Sequence, residues 1–126
     1  MGLSNEVGLK HTILVVDDEP LARLTTADML RLGGFNVLEA GNGAQALELL
    51  ADGYQVAAVV TDVRMPVLDG VGLSHAIREA HPQIPVLFVS GDTFDAAELP
   101  AGTHYLRKPI NLRQLIASVI QAIGLP

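Results

Sequence analysis

Asp17-Asp18, Asp62, Ser90 and Lys108 each stand at the end of a short apolar run, and their types could act on one ligand together. Three carboxylates gathered at two neighbouring strand ends would repel one another and push at least one pKa upward. A hard divalent cation relieves that repulsion, and an all-oxygen donor set without His or Cys suits Mg2+. Asp18 is expected to touch the metal directly, and Asp17 directly or through water. Either Asp could instead cap a helix beginning at Pro20. Asp62 is a carboxylate nucleophile able to attack phosphorus and form an acyl phosphate. Such a transfer needs donors on the phosphoryl oxygens, and the Ser90 hydroxyl and the Lys108 ammonium can supply them. Taken singly, a Ser before Gly is commonly a turn residue and a Lys before Pro a solvated one. Together the four strand ends fit one reaction.

The elements that must hold these residues are legible in the apolar pattern. Five runs read as strands: Thr12–Val16, Phe35–Ala40, Val56–Thr61, Pro85–Val89 and Thr103–Arg107. The first, third and fourth are continuous rather than alternating, as in strands buried on both faces of a parallel sheet. Helical segments lie between them. One starts at Pro20 and stops at Gly33-Gly34; a second follows Asn42 as N-cap and stops near Asp52-Gly53. A third spans Val71–Ala80, and the last follows Asn111 with Leu112, Leu115, Ile116, Val119, Ile120 and Ile123 on one stripe. The alternation predicts an α/β fold with helices on both sides of the sheet, and ligands in such sheets bind outside the carboxyl ends of the strands. The first helix offers two apolar faces, Leu21/Leu24/Leu32 and Ala22/Thr26/Met29/Leu30.

Composition narrows the function classes. The chain has 126 residues, 49% of them apolar and 4% aromatic, so a core of Val, Leu, Ile and Ala is expected in one domain over residues 11–124. Residues 1–10 read as a flexible terminus. A formal charge of −6 argues against nucleic acid as a partner. Cysteine is absent, which excludes disulfides and thiolate metal sites. No apolar run reaches the length of a membrane span, and a cytoplasmic location is the expectation. His11, His75, His81 and His104 show no metal-ligand spacing and are expected at the surface.

The order Ile13-Leu14-Val15-Val16-Asp17-Asp18-Glu19-Pro20, Thr61-Asp62-Val63-Arg64-Met65-Pro66 with Asp69-Gly70, Ser90-Gly91 and Lys108-Pro109 resembles the receiver domain of two-component response regulators. The likeness covers residues 11–124. It implies a flavodoxin-like, doubly wound sheet of five parallel strands in the order 2-1-3-4-5, with a cis bond at Lys108–Pro109. It implies that Asp62 takes a phosphoryl group from a phosphohistidine of a histidine kinase or histidine phosphotransfer protein. Asp17, Asp18, Asp62 and the backbone carbonyl of Arg64 would hold Mg2+, and Ser90 and Lys108 the phosphoryl oxygens. Ser90 and Tyr105 occupy the family's switch positions. Arg64 and Asp92 occupy positions that tune the lifetime of the phosphoryl group, and their opposite charges could bridge across the pocket mouth. The implied role is a phosphorylation-regulated binding module rather than a conventional enzyme, with a downstream protein partner that the sequence does not name.

The sequence departs from the family pattern between Ser90 and Lys108, where positions 91–107 must hold a loop, a helix and a strand. The helix there, around Phe94–Leu99, is expected to be short, irregular or absent. Leucines left outside on the first helix could serve a homodimer or a kinase-docking surface. A small phosphohydrolase with an aspartyl nucleophile is the rival class, but it would place a second Asp two residues after Asp62, where Arg64 stands. A degenerate receiver would lack part of the Asp17, Asp18, Asp62, Ser90 and Lys108 set.

Overall fold

The computed structural model describes residues 11–91, 99–100 and 103–124. Continuous apolar runs become the middle of a parallel sheet because only there are both faces of a strand covered. The elements follow as β1 (Thr12–Val16), α1 (Pro20–Leu32), β2 (Asn36–Ala40), α2 (Gly43–Ala51), β3 (Ala58–Asp62), α3 (Gly70–Ala80), β4 (Val86–Ser90), β5 (His104–Arg107) and α4 (Leu112–Ile123). All pairings are parallel and the strand order is β2-β1-β3-β4-β5, the flavodoxin-like α/β arrangement. β1, β3 and β4 are almost wholly buried, whereas the edge strands β2 and β5 remain partly exposed.

Strand alternation divides the core into two layers. Leu14, Val16, Val59 and Phe88 face α2 and α3, where they meet Ala46, Leu50, Leu73 and Ile77. Ile13, Val15, Val60, Leu87 and Val89 face α1 and α4, where they meet Leu30, Leu115 and Val119. The ambiguity of α1 resolves in favour of Thr26, Ala27 and Leu30 as its buried residues, with Leu21, Leu24 and Leu32 in solvent. Of the histidines, His75 is exposed, and His11, His81 and His104 are half-buried. Lys108–Pro109 is cis, as the resemblance implies.

The strands and α3 start within two residues of the sequence reading, and two strand ends differ from it in a useful way. β3 and β4 each run one residue further, through Asp62 and Ser90. The apolar pattern stops before the hydrogen-bond ladder does, because Asp62 still pairs with Val89 and Ser90 with Arg107. Asp92 and the segment around Phe94 lie outside the described residues, so the expected short helix there falls outside as well.

Candidate functional site

Register alone brings the candidate residues level. Val16 pairs with Thr61, so the next residues, Asp17 and Asp62, stand side by side at the carboxyl ends of the two central strands. Ser90 and Lys108 continue the row across β4 and β5, and the Lys108 N–H donates to the Ser90 carbonyl at 2.9 Å. One carboxylate oxygen from each of Asp17, Asp18 and Asp62 lies within 4.8 Å of the others. Asp17 is buried, Asp62 half-buried and Asp18 exposed, so the cluster opens to solvent on one side.

Asp17 is held from every direction. Its N–H donates to Ala40 O at 3.2 Å, and its carbonyl accepts from Arg23 Nη1 at 2.9 Å. Oδ1 accepts from the Glu19 N–H at 3.0 Å, so this side chain also makes the turn that leads into α1. Oδ2 faces Lys108 Nζ at 3.4 Å, and the same ammonium lies 3.7 Å from Asp62 Oδ2. Burial pushes the Asp62 carboxyl above its ordinary pKa. Lys108 opposes that rise, the neighbouring charge of Asp17 adds to it, and the N–H groups of Arg64 and Val63 oppose it.

The loop after Asp62 is fixed by close backbone contacts. Gly70 lies against the Asp62 carbonyl oxygen so closely that a Cβ there would collide with it, and its N–H donates to Val63 O at 2.8 Å. Asp69 caps α3 by accepting from the Gly72 N–H at 2.8 Å. Leu68 N–H donates to Pro66 O at 3.0 Å across Val67, whose φ is 70°, making a tight three-residue turn. Leu68 then sits against the bare faces of Gly43 and Gly72.

The chemistry of this donor set fits a hard divalent cation. It consists of oxygen ligands only, carries two or more negative charges and is open to water on one side. Ser90 is fully buried at its strand end, and Tyr105 is partly buried on β5, against the core layer that holds its register partner Phe88. The Arg64 side chain is exposed, while its N–H donates to Asp62 Oδ1 at 3.4 Å. The contacts of two contributors escaped the sequence reading. Gly70 stood in the motif, but nothing in the sequence showed its close approach to the Asp62 carbonyl. Arg23 reaches the site by donating to the Asp17 carbonyl and is braced by Glu39 on β2, a pairing that only the tertiary structure reveals.

Among the described residues no helix is long and apolar enough to cross a membrane. The family model for the response regulator receiver domain matches residues 13–120. Sensor kinase CckA of Brucella abortus is 41% identical over 113 residues, covering 86% of this chain and 12% of that protein. Transcriptional regulatory protein CpxR of Escherichia coli is 38% identical over 114 residues, covering 86% of this chain and 47% of that protein. The chain therefore spans less than half of either curated relative. A receiver protein from Sinorhizobium medicae superposes with a TM-score of 0.82 at 34% identity, over 90% of this chain and 94% of that one. A receiver domain protein from Clostridium thermocellum gives 0.83 at 27% identity, with the same coverage. With the sheet order, the acidic cluster at its carboxyl edge and these likenesses in agreement, the chain belongs to the response regulator receiver domain family.

Proposed function

We propose that this chain is the phosphoacceptor of a two-component phosphorelay, with Asp62 taking a phosphoryl group from a phosphohistidine and exchanging partners in response. The observation that carries this reading is the convergence of Asp17, Asp18 and Asp62 oxygens within 4.8 Å, with the Lys108 ammonium 3.7 Å from Asp62. Asp17, Asp18, Asp62 and the backbone carbonyl of Arg64 would hold Mg2+. When bound, the cation neutralises carboxylate charge and draws phosphoryl oxygens toward the site.

Asp62 Oδ attacks phosphorus in line, its new P–O bond forming as the P–N bond to the donor imidazole breaks. Lys108 then pairs with a phosphoryl oxygen instead of sharing itself between two carboxylates, and the Ser90 hydroxyl donates to another. Burial leaves the Asp62 carboxylate poorly solvated, which makes its oxygen a stronger nucleophile toward phosphorus. Ser90 and Tyr105 form the switch pair: movement of the hydroxyl leaves space that the aromatic ring fills, shifting the population between two packings of the β4–β5 edge. Arg64 and Asp92, at the positions that the family resemblance assigns to tuning, set the hydrolysis rate, and Arg64→Ala should change the autodephosphorylation rate.

A histidine kinase or histidine phosphotransfer protein is the donor that this chemistry requires. A groove lined by Leu21, Ala22, Met29, Pro109 and Ile110 opens beside Lys108 and suits an apolar donor helix. The exposed leucines of α1 also leave room for a homodimer. The chain acts as a regulated binding module that catalyses only its own phosphorylation and hydrolysis. Incubation with acetyl phosphate and Mg2+, followed by intact mass measurement, should show one added phosphoryl group on the wild type and none on Asp62→Ala. Equal labelling of both proteins would sink the assignment.

A further inference from the structure

We propose that Arg23, braced by Glu39, is a positioning residue that aims the Asp17–Asp18 turn at the cation site. The inference rests on the magnesium reading above. Arg23 lies on the first turn of α1, where its N–H donates to Glu19 O at 2.9 Å. Its side chain turns back over the sheet rather than outward. Nη1 donates to the Asp17 carbonyl at 2.9 Å, and Nε lies 3.4 Å from Glu39 Oε1 on β2. The guanidinium also rests over Gly41, where a Cβ would come within 3.4 Å of Nη1. Glu39 is gripped a second time, because Arg31 Nη2 meets its Oε2 at 3.2 Å and in turn pairs with Asp28 at 3.1 Å. One planar fork therefore ties the end of β1 to β2 and to α1, a geometry that a single ammonium cannot reproduce.

The consequence falls on Asp18. β1 ends at Val16, so no further strand residue fixes the peptide that joins Asp17 to Asp18. The Asp17 carbonyl and the Asp18 amide share one plane. Fixing that carbonyl sets the direction in which Asp18 leaves the strand, and Asp18 is the exposed member of the cluster. The same tether keeps Asp17 Oδ1 on the Glu19 N–H. Groups behind metal ligands that orient them in this way commonly change affinity about 10–100-fold when removed.

Charge and positioning predict opposite signs, and this makes the proposal sharp. Arg23 is a cation near an acidic cluster, so deleting it should tighten Mg2+ binding on charge alone. As a positioning residue, its deletion should weaken binding. Mg2+ is titrated calorimetrically into the full chain as wild type, Arg23→Met, Arg23→Lys, Glu39→Gln and the Met/Gln double variant. The expected result is affinity about tenfold weaker in Arg23→Met, an intermediate loss in Arg23→Lys and a smaller one in Glu39→Gln, with the double variant no worse than Arg23→Met. In metal-free buffer with EDTA, amide exchange at Glu19 should be faster in Arg23→Met while exchange at Leu14 stays unchanged. Arg23→Met binding Mg2+ as tightly as wild type or tighter overturns the proposal, as does unchanged exchange at Glu19. Should Arg23→Met unfold, Glu39→Gln decides the matter through amide exchange at Glu19 in EDTA, where no cation is present to feel its charge: unchanged exchange there overturns the proposal too. A wild type that gives no Mg2+ heat defeats the magnesium reading itself, while Glu19 exchange still reports on the tether separately.

Discussion

Asp62 carries a cost in the folded state that its chemistry depends on. Its pKa is raised chiefly by burial, and the neighbouring Asp17 adds to the effect against Lys108. A carboxyl whose folded pKa exceeds its unfolded one contributes stability that is fully present below the unfolded pKa and is lost as pH rises through the folded value. Metal-free wild type should thus lose stability across that window. Asp62→Asn removes the charge while keeping the shape, so it should have the higher urea midpoint at neutral pH in EDTA, and the two proteins should converge as pH falls through the window. A lower midpoint for Asp62→Asn at neutral pH would mean that Lys108 outweighs burial. Much of this residue's setting was legible from its place at the end of an apolar run, as were Asp17, Asp18, Ser90 and Lys108. The four contacts around Asp17 were not, because three of the partners, Ala40, Arg23 and Lys108, come from other elements and meet it only through register and helix docking.

Among the elements, helix starts were easiest to read from sequence because their caps are local. Asn42 accepts from the Gln45 N–H at 2.7 Å and Asn111 from the Gln114 N–H at 2.8 Å, as their positions implied. The buried face of α1 was harder, since both candidate stripes have helical spacing and only docking against the sheet and α4 chooses between them. The turn at Val67 was not legible at all. A β-branched residue at φ 70° contradicts its own preference, and Val67 is fully exposed, so no packing of its side chain offsets the strain. What the turn achieves is the seating of Leu68 between Gly43 and Gly72. Val67→Gly should keep that seating and raise stability by about 1 kcal/mol, as strain relief exceeds the added entropy of the unfolded chain. Gly70→Ala should do the reverse, costing roughly 1–3 kcal/mol as the new Cβ meets the Asp62 carbonyl. Paired urea melts test both, and a destabilised Val67→Gly would show that the turn is not strained.

At the scale of the whole molecule, the sheet order turns four separate strand ends into one polar edge, and that edge couples stability to cation binding. The order 2-1-3-4-5 sets β1 beside β3 in the centre, so the carboxylates meet where the fold is most buried and least able to move apart. Lys108 pairs with both Asp17 and Asp62, at 3.4 and 3.7 Å, and one ammonium neutralises only part of their charge. A ligand that binds the folded chain and not the unfolded one adds RT ln(1 + [L]/Kd) to stability. At free Mg2+ about one hundred times Kd this is about 2.7 kcal/mol, or roughly 10 °C in Tm for a domain of this size. Thermal unfolding across a Mg2+ series should show that rise in the wild type, and Asp18→Asn should flatten it while leaving the metal-free Tm nearly unchanged, since Asp18 is exposed. Lys108→Met should behave oppositely, starting lower without metal because the buried Asp17 and half-buried Asp62 lose their shared cation, and gaining more from Mg2+ because the cation then meets no competing ammonium. A Mg2+ response equal in Lys108→Met and wild type would separate the ammonium from the cation site and leave the acidic edge as two independent pockets.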